Sequence, residues 1–183
     1  VEDYGRFEDA VRAYLTRHQG KDKLTAAALA VAGPVEANRC DLTNSPWMID
    51  GDALKAALEL ASSRVVNDFE ALAWSLPALS GSDLHQIGGR SSETGAPMVV
   101  LGPGTGLGVG AYVPGKGGPT VLPTEGGHVT LPATDAREAA IIAFLRDQLH
   151  HVTAERALSG QGQENLYQAV NTVDGKKTPP RDA

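Results

Sequence analysis

The chain has 183 residues, 42% hydrophobic and 21% charged, an ordinary composition for a globular protein long enough to bury a real core. Its formal net charge of −6 argues against nucleic-acid binding, which normally needs a basic face. No run approaches the roughly 18 apolar residues that span a bilayer, and a single cysteine, Cys40, excludes an internal disulfide or a cysteine-cluster zinc site.

Phe7, Ala10, Val11, Tyr14 and Leu15 recur at helical spacing and predict a first amphipathic helix. Leu24 to Val31 is small, apolar and uninterrupted up to Gly33-Pro34, which predicts a buried strand. A short strand is expected over Glu36 to Cys40, with Cys40 a small buried residue. Asp50 is placed to cap a helix carrying Leu54, Ala57, Leu58 and Ala61. Arg64 to Asn67 reads as a strand and Phe69 to Leu76 as a helix stopped by Pro77. Ser80 to Pro97 is polar and glycine-rich, with a short strand expected near Leu84–Ile87. A hairpin then runs from Val99 through the glycines to Val113. Beyond Val121–Leu131, a helix from about Asp135 carries Ile141, Leu145 and Leu149, and two helical stretches surround Glu155 and Leu166. Strands feeding directly into helices predict an α/β fold, with a lobe boundary near residues 77–81. The chain starts on Val1, shows no signal-peptide pattern, and ends in a linker-like stretch from Asp174 to Ala183. It is expected to be an internal piece of a longer, cytoplasmic protein.

Four segments could carry chemistry. In Gly102-Pro103-Gly104-Thr105-Gly106-Leu107-Gly108 the glycines would let backbone N–H groups approach an anion, with the Thr105 hydroxyl at the centre; the plainer reading is a hairpin turn. The spacing does not fit a dinucleotide fingerprint, and Gly117 after Lys116 denies a P-loop its magnesium-binding hydroxyl, so Lys116 is read as decorating a solvated turn. Asn67-Asp68 lies where a strand feeds a helix, the end of an open α/β sheet where ligands gather. Asp68 could accept a substrate proton or merely cap the helix. In Glu125-Gly126-Gly127-His128 two glycines let a carboxylate and an imidazole face one small ligand. Glu155-Arg156-Ala157-Leu158-Ser159-Gly160, taken alone, reads as a helix start with Thr153 as cap and Glu155 favourable in the first turn. Such carboxylates, Asn and His near one cleft would suit a polyhydroxylated ligand. No metal site is expected; His128 and His150-His151 lack companions.

Taken together, Leu42-Thr43-Asn44-Ser45-Pro46-Trp47, Asn67-Asp68-Phe69-Glu70-Ala71, Gly102 to Gly108, Glu125 to His128 and Glu155 to Gly160 stand in the order and approximate spacing of a known family. The chain resembles the bacterial glucokinases, of the hexokinase group in the actin-like ATPase superfamily, from its first helix to about Val170. The resemblance implies a two-lobed, ribonuclease H-like α/β kinase, incomplete at both ends, with residues 1–79 in the small lobe and 80–183 in the large lobe. It implies transfer of the ATP γ-phosphate to the 6-hydroxyl of glucose, at the head of glycolysis. Asp68 would be the base; Asn67, Glu125, His128 and Glu155 would bind sugar hydroxyls, and Thr43 and Asn44 would shape the pocket. Gly102, Gly104, Thr105 and Gly106 would form the second phosphate loop around ATP, which Mg2+ would accompany. The partners it implies are glucose and a second copy in a homodimer, with no nucleic acid and no membrane. The family's Asp-x-Gly-Gly-Thr loop and its glycine-rich adenosine segment have no counterpart in these residues, and Pro103 replaces a small residue. A non-catalytic sugar sensor and a kinase for another hexose remain the alternatives.

Overall fold

A computed structural model describes residues 4–18, 23–42, 45–89 and 93–176. By its internal packing the chain divides into two compact units, Val1–Ser75 and Leu76–Ala183.

In the first unit, helix α1 (Phe7–His18) opens with Glu8 and Asp9 and closes with Arg17 and His18, charges that complement its dipole. Strand β1 (Ala26–Val31) pairs in parallel with β4 (Ser62–Asn67), from Ala26 opposite Ser62 to Val31 opposite Asn67. Strands β2 (Arg39–Asp41) and β3 (Met48–Asp50) form an antiparallel pair. Cys40, Ile49 and Val65 are buried together, and Phe7, Leu29, Val31, Val35, Leu42 and Trp47 pack on them. Cys40 is thus the small buried residue expected, and burial, with Asp41 beside it, pushes its thiol pKa up.

Two strand expectations are corrected. β1 is not buried on both faces: Leu29 and Val31 pack on the core, whereas Ala26, Ala28 and Ala30 remain exposed. The strand expected over Glu36 to Cys40 lies at Arg39–Asp41, because Ala37 and Asn38 take positive φ and turn the chain so that Glu36 and Arg39 pair across the bend. Asn38 then binds in three directions. Its Nδ2 donates to Asp52 Oδ1 (3.1 Å) and the Ser63 carbonyl (3.2 Å), and its Oδ1 accepts the Val65 N–H (2.8 Å).

Asp50 caps α2 (Gly51–Ala57) as expected, accepting the N–H groups of Asp52 and Ala53. The helix ends before Leu58 and Ala61, which the sequence had placed on it. The Ala53 N–H, aided by Arg39 and the Asp52 N–H, holds the buried Asp50 carboxyl below the usual aspartate range. Helix α3 (Asp68–Ser75) follows β4 without a loop, and a 3-10 turn over Leu76–Ala78 contains Pro77.

In the second unit no strand forms at Leu84–Ile87; that polar stretch offers no partner edge, and Ile87 is almost fully exposed. The expected hairpin is β5 (Met98–Pro103) against β6 (Leu107–Val113), and β7 (Thr120–Thr124) completes a three-stranded antiparallel sheet in the order β5-β6-β7. Lys116 lies exposed in the β6–β7 turn. Asp135 caps α4 (Ala136–Leu149) by accepting the Glu138 N–H. A single turn, α5 (Glu155–Leu158), leads into α6 (Gly160–Val173), capped by Ser159. Ile141, Ile142 and Leu145 of α4 bury against Val152 and Ala169; Leu166, Val170 and Val173 supply the same face of α6 at helical spacing. Among the described residues no helix is long and apolar enough to cross a membrane.

Candidate active site

At the β4–α3 junction the two neighbouring polar residues divide their work. Asn67 is the cap: its Oδ1 accepts the N–H groups of Phe69 (2.9 Å) and Glu70 (3.3 Å), while its Nδ2 donates to the Gly33 carbonyl (3.2 Å). Asp68 is the first helical residue, half-buried, with Oδ1 near the Phe69 N–H (3.0 Å). The cap that the sequence offered to Asp68 therefore belongs to Asn67. Among the described hydrogen bonds, Asp68 Oδ2 and one Nδ2 proton of Asn67 are uncommitted.

In the second unit, Glu125, His128 and Glu155 come together with the glycine hairpin. A 3-10 turn over Gly126–His128 brings the His128 ring back over Glu125, with Nδ1 3.4 Å from Glu125 Oε2. Residues 129–131 pair with 152–154: the Ala154 N–H donates to the Val129 carbonyl (2.9 Å) and the Leu131 N–H to the Val152 carbonyl (3.0 Å). That pairing sets Glu155 beside the turn, with Oε1 3.5 Å from His128 Nε2. His128 thus stands between two carboxylates. Glu125 is well exposed and Glu155 mostly covered. Two acceptors flanking a ring that can both donate and accept match neighbouring hydroxyls on one small ligand. Thr153, proposed as the cap here, lends its hydroxyl to the Arg156 N–H (3.3 Å).

The same cluster grips the hairpin turn. Glu155 Oε2 accepts the Leu107 N–H (2.9 Å), and the Gly160 N–H donates to the Gly104 carbonyl (2.9 Å). Across the turn, the Gly104 N–H donates to the Gly106 carbonyl (2.8 Å). Neither turn glycine has a positive φ, so left-handed backbone is not why they are glycines. At Gly106 a Cβ would stand 2.5 Å from Glu155 Oε2 and displace that carboxylate; at Gly104 a Cβ would meet nothing within 4 Å. Gly127 is buried, and a Cβ there would overlap the Leu107 carbonyl. Gly104 and Thr105 are exposed at the turn, and Gly102 pairs with Gly108 at its base.

Asn67 and Asp68 belong to the first unit; Glu125, His128, Glu155, Gly102, Gly104, Thr105 and Gly106 belong to the second. Thr43 and Asn44 lie outside the described residues. Among the described residues no group of three or more His, Cys, Asp or Glu is arranged to hold a metal ion. Two contributors to this geometry escaped the sequence reading, Gly33 as the partner of Asn67 and Gly160 as the partner of the turn. Neither long-range backbone contact leaves a local signal.

The glucokinase family model matches residues 1–183. The chain belongs to the glucokinase family. It is 47% identical over 180 residues to a glucokinase of Nitrobacter hamburgensis, covering 98% of this chain and 56% of that protein. A glucokinase of Paramagnetospirillum magneticum is 48% identical over 174 residues, covering 94% and 54%. The crystal structure of a glucokinase from an Antarctic psychrotroph superposes with a TM-score of 0.89 at 34% identity, over 98% of this chain and 56% of that one. A Balamuthia mandrillaris glucokinase, solved in complex with glucose, shares the fold at 21% identity and a TM-score of 0.59, over 92% of this chain and 51% of that one. This glucokinase-family chain thus spans about half the length of the relatives it matches.

Proposed function

We propose that the whole protein carrying this chain is an ATP-dependent glucokinase that phosphorylates the 6-hydroxyl of glucose, the first step of glycolysis, in the cytoplasm. The observation that carries the reading is Glu155, which faces His128 with one carboxylate oxygen and binds the hairpin backbone with the other. A ligand-facing group is thereby tied to the turn that suits a phosphate.

In this reading Asp68 takes the proton from the 6-hydroxyl through its uncommitted oxygen. Asn67 donates its remaining Nδ2 proton to a sugar hydroxyl, its oxygen being engaged by the helix cap. Glu125, His128 and Glu155 bind further hydroxyls, and Thr43 and Asn44 shape the pocket. Gly102, Gly104, Thr105 and Gly106 line the phosphates of ATP, with the Thr105 hydroxyl as donor. Magnesium arrives with ATP and neutralises phosphate charge. Transfer then rests mainly on positioning and charge stabilisation. Residues 1–79 belong to the small lobe and 80–183 to the large lobe of an actin-like ATPase fold, and the whole protein forms a homodimer.

Separate calorimetric titrations of the whole protein with glucose and with magnesium-ATP test this. Binding of both supports a kinase. Binding of sugar without nucleotide would replace it with a sensor, and stronger binding of mannose, fructose or N-acetylglucosamine than of glucose would reassign the substrate.

A further inference from the structure

Three contacts converge on the hairpin turn from the sugar-facing side of the second unit. Glu155 Oε2 holds the Leu107 N–H at 2.9 Å, the Gly160 N–H holds the Gly104 carbonyl at 2.9 Å, and Gly127 leaves just enough room for the Leu107 carbonyl. A Cβ at Gly127 would overlap the Leu107 backbone, and one at Gly106 would displace the Glu155 carboxylate from the turn. Of the three contacts, only Glu155 also faces the cluster at His128, with Oε1 3.5 Å from Nε2.

We infer that Glu155 has a second role as a positioning residue for the nucleotide: its Oε2 fixes the phosphate-binding turn, so that sugar and ATP affinities are coupled through one carboxylate. This rests on the kinase reading of the same site. Its physical basis is that a backbone N–H bonded to a carboxylate is held more firmly than one bonded to a neutral acceptor or to water. A turn held in one geometry presents Gly104, Thr105 and Gly106 without the entropy loss of ordering them on binding. A hydroxyl drawing on Oε1 shifts the same carboxylate group that steadies Leu107. Coupling of this kind is reciprocal: glucose must alter ATP affinity by the factor by which ATP alters glucose affinity.

The test is calorimetry on the whole protein, titrating magnesium-ATP without sugar and then with saturating glucose. Glu155→Ala should weaken ATP binding in the absence of sugar by about tenfold or more, and should abolish the effect of glucose on it. Glu155→Gln keeps a neutral carbonyl oxygen for the Leu107 N–H and should fall between Glu155→Ala and wild type in sugar-free ATP affinity, while glucose binding stays weak. Glu125→Gln, whose carboxylate touches His128 but not the turn, should weaken glucose binding and leave sugar-free ATP affinity as in wild type. Wild-type ATP affinity in a folded Glu155→Ala variant overturns the inference, and so does equal loss in Glu125→Gln. If Glu155→Ala does not fold, Glu155→Gln and Glu125→Gln still decide: a sugar-free ATP affinity reduced in Glu155→Gln and not in Glu125→Gln supports the inference, and wild-type ATP affinity in both overturns it. Failure of the kinase reading looks different, because the wild-type protein would then bind no ATP at all.

Discussion

Glu155 and Leu107, 48 positions apart in the chain, are joined by a 2.9 Å hydrogen bond from the Leu107 N–H to Glu155 Oε2. The bond ties the α5 turn, where Glu155 also faces His128, to the first residue of β6 behind the glycine turn. Most of what can be tested about this chain follows from that link and from its counterpart at the β4–α3 junction.

At Gly106 a methyl group would stand 2.5 Å from Glu155 Oε2. Gly106→Ala should therefore break the Leu107 bond and raise the KM for ATP by about tenfold. Gly104→Ala meets no protein atom within 4 Å and should melt like wild type. Its KM for ATP should nevertheless rise, because the methyl occupies the space proposed for phosphate. An unchanged KM in a Gly104→Ala protein would remove the phosphate from that side of the turn.

Because Asn67 does the capping, Asp68 keeps an oxygen outside the cap, the one proposed to take the proton. Asp68→Ala should lower kcat by about 10²–10⁴-fold, the usual worth of a general base, while glucose binding stays within about tenfold. A stability loss with kcat preserved would make Asp68 a structural residue.

Asn67→Ala should cost about 0.5–2 kcal/mol in chemical denaturation, the range for losing a polar cap. Asn67→Asp keeps an acceptor for the Phe69 and Glu70 N–H groups but has no Nδ2 donor for the Gly33 carbonyl or for a sugar. It should cap nearly as well and bind glucose more weakly. Equal glucose affinity in the Asn67→Asp variant and the wild-type protein would argue against the assigned hydroxyl contact.

These cases show what the sequence could and could not convey. Helical spacing located α1, α4 and α6, because burying one face leaves a periodic trace. Asp50 was legible as a cap because capping is local. Asn67 and Asp68 are adjacent and chemically alike, and only the direction of the backbone decides which one turns onto the helix. β3 escaped notice because three residues leave no alternation to count, and β2 slipped because Ala37 and Asn38 bend the chain with no glycine to announce it. Asn38 reaches Ser63 and Val65, and Glu155 reaches Leu107, through backbone atoms that every residue possesses. The glycine motif was conspicuous, but the carboxylate that a side chain at Gly106 would meet lies 49 positions away, at Glu155.

Asp50 gives a pH dependence. The Ala53 N–H, with Arg39 and the Asp52 N–H, lowers its folded-state pKa. Its stabilisation is therefore complete above the unfolded aspartate value of about 3.9 and is lost as pH falls through the lower folded value. Subtracting the stability–pH curve of Asp50→Asn from that of wild type should leave a difference that shrinks with acid below about pH 4. A difference that stays constant through that range would show that the ionised form is not what the cap requires.

The most direct measurement is turnover: the purified whole protein incubated with glucose and magnesium-ATP, with the sugar product identified by phosphorus NMR. The account predicts glucose 6-phosphate formed in step with ADP, and its near disappearance in Asp68→Ala. A folded protein that binds glucose yet forms no sugar phosphate would contradict it.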